Sequence, residues 1–192
     1  MDILKNIVEK FDSSCLVQQN FIKDNATFVE KIILLLENSF KNGGKLLLCG
    51  NGGSAADAQH LAGEFVNKIV FEREPLPAIA LTTDISVLTS IANDIDYKTI
   101  FSRQIRSIGK KGDILFAYST SGNSPNILES VEIARKLEMI TVGFSGERGK
   151  LKDLVDYAVI VPSKETPRIQ EVHYILGHIV CELLESHMFI NN

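Results

Sequence analysis

His60 and Glu64 are four residues apart in a proline-free stretch that begins at Ser54. One helical turn separates them, so an imidazole and a carboxylate share a face. Such a pair can hold a metal ion or act as an acid–base couple beside a ligand, and it is equally the pattern of a solvated surface pair. Its neighbours Ala55, Ala56, Ala58, Leu61, Ala62 and Phe65 make the helix largely buried, where an unpaired carboxylate is costly. A second polar set comprises Gln170, His173 and His178, interleaved with Ile169, Val172, Ile175, Leu176, Ile179, Val180, Leu183 and Leu184. His178 could also be an ordinary, partly buried histidine.

Two turns have the composition of ligand loops. Gly50-Asn51-Gly52-Gly53-Ser54 leads from an apolar run into the His60 helix. Its glycines let backbone approach a ligand closely, and the helix start offers unpaired N–H groups. A plain strand-to-helix turn is the alternative; neither the Walker loop nor the GxGxxG dinucleotide loop matches. Ser119-Thr120-Ser121-Gly122-Asn123-Ser124-Pro125 carries hydroxyls at 119, 120, 121 and 124. Pro125 suits a first helical turn, with Ser124 as N-cap. Capping needs one hydroxyl, so the excess points to a neutral phosphate cradle at a helix N-terminus. Asn93-Asp94 closes a helix and could be a simple C-terminal turn.

The elements that must position these residues alternate. Residues 1 to about 40 read as a two-helix arm, with Ile3, Leu4, Ile7, Val8 and Phe11 in one stretch and Phe28, Val29, Ile32, Ile33, Leu35 and Leu36 in the next. Asn42-Gly43-Gly44 ends it. The arm packs either on its own domain or against another subunit. Strands follow at 45–49, 78–81, 113–118, 140–144 and 158–161, separated by helices at 54–67, 85–92, 100–108 and 125–137, with a last helix from Arg168 to about Met188. Continuously apolar strands alternating with helices predict an α/β, three-layer sandwich with a five-stranded parallel sheet and the N-terminal helices added, in one domain spanning 1–192. Ligands of such sheets bind at the carboxyl ends of the strands, where both turns fall. With 20 basic against 24 acidic residues, a general nucleic-acid binder is not expected. No apolar run approaches the ~20 residues of a membrane span. The sequence from Met1 is unlike a signal peptide, and Cys15, Cys49 and Cys181 are scattered, so a cytoplasmic protein with reduced thiols is expected.

The serine turn resembles the phosphosugar-binding loop of sugar isomerase (SIS) domains. Together with Gly50–Ser54, His60-xxx-Glu64, Ile91-Ala92-Asn93-Asp94 and Arg168-Ile169-Gln170-Glu171 with His178, it is similar to the bacterial phosphoheptose isomerases over nearly the whole sequence. The resemblance implies a flavodoxin-like SIS fold and conversion of D-sedoheptulose 7-phosphate to D-glycero-D-manno-heptose 7-phosphate, the start of heptose supply for lipopolysaccharide or capsule. It implies a Zn2+ held by His60, Glu64, Gln170 and His178, and a homotetramer with active sites at subunit interfaces. It implies substrate contacts at Asn51, Gly52, Gly53, Ser54, Glu64, Asn93, Asp94, Ser119, Thr120, Ser121, Ser124 and Gln170. Glu64 is then the carbon base, and His178 serves the substrate oxygens. Pro167 departs from the small or acidic residue that relatives often carry beside the arginine, and stiffens that segment. The alternative is a non-catalytic SIS protein that binds the replication initiator DnaA, in which the position of Glu64 lacks its carboxylate. A sugar-phosphate-sensing regulator would need a DNA-binding domain, which these residues do not accommodate.

Helix geometry adds one expectation. Gln170 and His178, eight residues apart in a regular helix, lie ~12 Å apart along its axis and ~80° apart around it. One ion is hard to reach from both unless the helix begins late or one residue comes from another chain. His178 and the Glu64 helix are therefore expected to come from different subunits of a symmetric oligomer.

Overall fold

The apolar runs form one five-stranded sheet in the order β2-β1-β3-β4-β5, every neighbouring pair parallel, in a computed structural model that describes residues 2–190. Met1, Asn191 and Asn192, the ends of the expected 1–192 span, lie outside the described residues. The strands are β1 (Leu46–Cys49), β2 (Ala78–Ala80), β3 (Ile114–Tyr118), β4 (Ile140–Gly146) and β5 (Tyr157–Val161). The helices are α1 (Ile3–Lys41), α2 (Gly53–Val66), α3 (Ile85–Asp94), α4 (Ser102–Ile108), α5 (Pro125–Lys136), the short α6 (Leu151–Leu154) and α7 (Thr166–Phe189).

Alternation along each strand divides the core between two faces. Leu46, Leu48, Phe116, Tyr118 and Phe144 meet α1, α2 and α7 on one side. Leu47, Cys49, Leu115 and Ala117 meet α3, α4, α5 and α6 on the other. The strand order reverses between β1 and β3, which opens a crevice at their carboxyl ends. Cys49 pairs with Ala117, so the glycine turn and the serine turn leave the sheet side by side.

Three expectations are corrected. The N-terminal arm is one helix of 39 residues, not two. No glycine or proline interrupts Ile3–Lys41, so nothing forces a turn between its two apolar stretches. From its middle onward it buries Phe21, Val29, Ile32, Ile33 and Leu36, while Ile3, Leu4, Ile7, Val8 and Phe11 near its start are exposed. The helix read at 100–108 is α4, which begins at Ser102, and a separate 3-10 turn, Tyr97–Thr99, precedes it. α6, too short to carry a periodic signal, was not anticipated. Pro167 stands in the first turn of α7 rather than in a preceding loop.

Candidate active site

The glycine turn is shaped by two requirements. Gly52, at the N-cap of α2, has φ +56° and ψ −122°, a conformation that L side chains resist. At Gly53 a Cβ would come within 2.1 Å of Gln170 Nε2, so glycine is what admits the α7 side chain. Gln170 Nε2 donates to Asp57 Oδ2 at 3.3 Å. Burial pushes the Asp57 carboxyl above its ordinary range, against the opposing effects of Gln170 and His60. Ser54 is buried in the first turn of α2.

The serine turn brings its hydroxyls together. Ser119 Oγ lies 3.0 Å from Ser124 Oγ and 3.5 Å from Ser121 Oγ, and Asn123 N–H donates to Ser121 Oγ at 3.2 Å. Ser124 does occupy the N-cap of α5, with Pro125 next, but its hydroxyl makes no capping bond and turns to Ser119 instead. The expected side-chain cap is therefore absent, and the hydroxyl belongs to the cluster. Gly122, at φ +65°, packs against Arg148, whose carbonyl oxygen a Cβ would approach to 2.5 Å. The Thr120 carbonyl accepts from Gly146 N–H at 3.1 Å, which ties the turn to the end of β4.

Asn93 and Asp94 end α3, both exposed, with Asn93 Nδ2 donating to Asp94 Oδ1 at 2.8 Å. Tyr97, three residues beyond Asp94, reaches Asn51 through its hydroxyl. The end of α3 therefore borders the glycine turn.

His60, Glu64 and His178 meet where α2 crosses α7. His60 Nε2 lies 2.8 Å from His178 Nε2, 3.4 Å from Glu64 Oε1 and 3.3 Å from the Tyr174 hydroxyl. Tyr174 also stacks on the His60 ring, with centroids 5.2 Å apart. Gly177 allows the two helices to close, since a Cβ there would already touch Leu61 at 3.3 Å. One potential ligand atom from each of His60, Glu64 and His178 lies within 4.8 Å of the others. Two imidazoles and a carboxylate at this spacing are a donor set suited to a divalent metal with a position left open.

These three residues belong to one chain, which overturns the expectation that His178 and the Glu64 helix come from different subunits. The separation of Gln170 from His178 along α7 is real, but Gln170 turns to Asp57 and Gly53, nearer the start of α2. His173, five residues before His178, plays no part in the cluster. It is 1% exposed, packed against the stacked rings of Tyr118 and Phe144, and neither ring nitrogen has a hydrogen-bond partner. Burial pushes its pKa down to about 3; the Ser145 backbone lies beside the ring, outside hydrogen-bonding geometry, and opposes this only in part. Sequence reasoning passed over Asp57, Tyr97, Asn126 and Tyr174. Two of them carry a signal: Asp57 precedes His60 by three residues, and Tyr174 stands midway in the i, i+4, i+8 row from Gln170 to His178.

A parallel sheet in this order, with a hydroxyl-lined turn after its third strand, is the architecture of a SIS-domain protein, and residues 11–146 match the SIS domain family. Phosphoheptose isomerase of Thermodesulfovibrio yellowstonii is 46% identical over 190 residues, covering 98% of this chain and 94% of that protein. A phosphoheptose isomerase structure from Francisella tularensis superposes with a TM-score of 0.93 at 35% identity, covering 97% of this chain and 100% of the other. One from Neisseria gonorrhoeae gives 0.90 at 38%, covering 96% and 99%. Within the SIS proteins, the chain belongs to the phosphoheptose isomerases and is an isomerase.

Proposed function

We propose that this isomerase interconverts D-sedoheptulose 7-phosphate and D-glycero-D-manno-heptose 7-phosphate through an enediol, at the crevice between β1 and β3. The observation that carries the reading is the placement of the Glu64 carboxylate and the His60–His178 pair on helices that flank a hydroxyl-lined turn. Ser119, Thr120, Ser121 and Ser124 hold the phosphate with the N-terminus of α5, and Asn51, Gly52, Gly53, Ser54, Asn93, Asp94 and Gln170 complete the sugar site. Anchoring the phosphate converts the proton transfers into an oriented, effectively unimolecular step.

In the direction of aldose formation, Glu64 removes the proton on C1 and returns it to C2. His178 takes the proton from O1 as the new carbonyl forms and supplies one to O2 as the old carbonyl becomes a hydroxyl. Each proton moves by one position and no redox partner is needed. A Zn2+ held by His60, Glu64 and His178 would polarise the carbonyl oxygen; Gln170, the fourth donor that the family resemblance implies, would have to turn from Asp57 to join them. The carboxylate at position 64 favours catalysis over DnaA binding without catalysis.

On the same reading the chain is a single SIS domain that forms a cytoplasmic homotetramer with active sites near subunit contacts, supplying heptose to lipopolysaccharide or capsule. The exposed apolar residues at the start of α1 support self-association. Among the described residues, no helix is long and apolar enough to cross a membrane. Incubating the purified protein with sedoheptulose 7-phosphate and following the products by NMR tests the reaction. Appearance of the heptose 7-phosphate is expected, and an unchanged ketose spectrum would refute it.

A further inference from the structure

Three segments meet on one carboxamide. Asn51 Nδ2 donates to Asn126 Oδ1 at 2.9 Å, and Asn126 Nδ2 donates back to Asn51 Oδ1 at 2.8 Å. Tyr97 Oη donates to the same Asn51 Oδ1 at 3.0 Å. Asn51 belongs to the turn after β1, Asn126 to the first turn of α5 behind the serine turn, and Tyr97 to the 3-10 turn after Asn93–Asp94. The two lone pairs of Asn51 Oδ1 are both engaged, and so is one of its amide hydrogens. The Asn51 side chain is therefore committed to protein partners, and the glycine turn meets a ligand chiefly through its backbone.

Asn126 is 2% exposed, and a buried amide is retained without cost only when it is fully bonded. A helix start needs no carboxamide at this position. What the reciprocal pair accomplishes is to tie the turn after β1 to the start of α5, beyond the point where the β1–β3 pairing ends at Cys49–Ala117.

We propose that Asn126 is a positioning residue for the isomerisation. Through Asn51 it fixes the glycine turn relative to the phosphate-holding serine turn, and Tyr97 fastens the Asn93–Asp94 side to the same point. The proposal rests on the crevice being the sugar-phosphate site. A substrate anchored at one turn and reacting near the other depends on their separation, and a misplacement of ~1 Å can cost up to ~10²-fold in rate. The loss falls on kcat, because the serine turn that binds the phosphate is left intact.

The test is steady-state kinetics with sedoheptulose 7-phosphate on Asn51→Ala, Asn126→Ala and the double variant, with thermal melts alongside. Asn126→Asp preserves shape but turns an acceptor toward Asn51 Oδ1, so it decides the matter if the alanine variants do not fold. Each single substitution is expected to lower kcat by ~10-fold or more with KM changed far less, and the double variant to be no worse than the poorer single. Tyr97→Phe gives a smaller loss of the same kind. Multiplied losses in the double variant, or normal kcat in Asn126→Asp beside an active wild type, would overturn the role of Asn126 alone. A wild type with no turnover would overturn the functional reading and this role with it.

Discussion

Glu64 and His178 sit within a few ångströms of each other but are assigned different protons, so they can be tested separately. Glu64→Gln removes the carbon base, and His178→Gln removes the group that exchanges protons with the oxygens. Each is expected to lower kcat by at least ~10²-fold, within the range of general acid–base groups. Circular dichroism should be unchanged in both, and turnover near that of wild type in either variant would dismiss the assignment. The phosphate site separates by a different measurement. Ser121 accepts from the nearby Asn123 N–H and meets Ser119 Oγ only at 3.5 Å, at the edge of the hydroxyl cluster, so Ser121→Ala should raise KM for the phosphorylated sugar with little effect on folding. An equal weakening toward unphosphorylated sedoheptulose would show that the hydroxyl does not read the phosphate. The choice of His178 over His173 came from the family resemblance and not from spacing. Five residues put them ~140° apart around α7, and which side meets α2 depends on packing that no local pattern encodes.

At the scale of elements, α7 is held at its far end by a buried charge pair. Glu185 and Arg73 have 0% and 1% side-chain exposure and pair at 2.9 Å. Glu185 also accepts from the N–H groups of Ile69, Val70 and Phe71. Burial pushes the Glu185 carboxyl up, but these N–H groups and Arg73 outweigh it, and the pKa is lowered overall. A lowered folded-state pKa stabilises the protein above the ordinary carboxylate range, and that contribution is lost as the pH falls through the folded value. Glu185→Gln should therefore cost ~3–5 kcal/mol near neutrality, because it leaves Arg73 buried without its counter-charge. Denaturant melts should show this deficit shrinking as the pH falls below the ordinary carboxylate range toward the lowered folded value, where wild type loses the same interaction; a constant deficit would contradict it. The strands were legible because each is buried on both faces and so reads as an unbroken apolar run. The length of α1 was not, since periodicity reports a helical face and a break must be marked by residues that are absent here. The site turns were legible by composition. The Asn51–Asn126 pair was not, because it joins residues 75 positions apart in sequence through side-chain bonds alone.

For the whole molecule, placing His60, Glu64 and His178 in one chain changes what mixed oligomers should do. If inactive Glu64→Gln and His178→Gln chains are unfolded and refolded together, every site still lacks one of the two groups. Mixed assemblies, verified by differential tagging and native mass spectrometry, should recover no activity. Recovery would mean that the two residues act across a subunit boundary after all.

The packing of α1 against α7 bears on how the protein is made. α1 ends at Lys41 and α7 begins at Thr166, so during synthesis one leaves the ribosome long before the other is translated. Until α7 emerges, the apolar surface of α1 that it will cover has no permanent partner, and such contacts of large sequence separation slow folding and leave nascent chains open to aggregation. His178 and Glu185 arrive on that same last helix. The isomerase therefore completes its acid–base cluster only with the helix that covers α1: a ribosome-bound chain stalled after β5 would contain the residues of every turn of the crevice but lack His178 and the cover of α1.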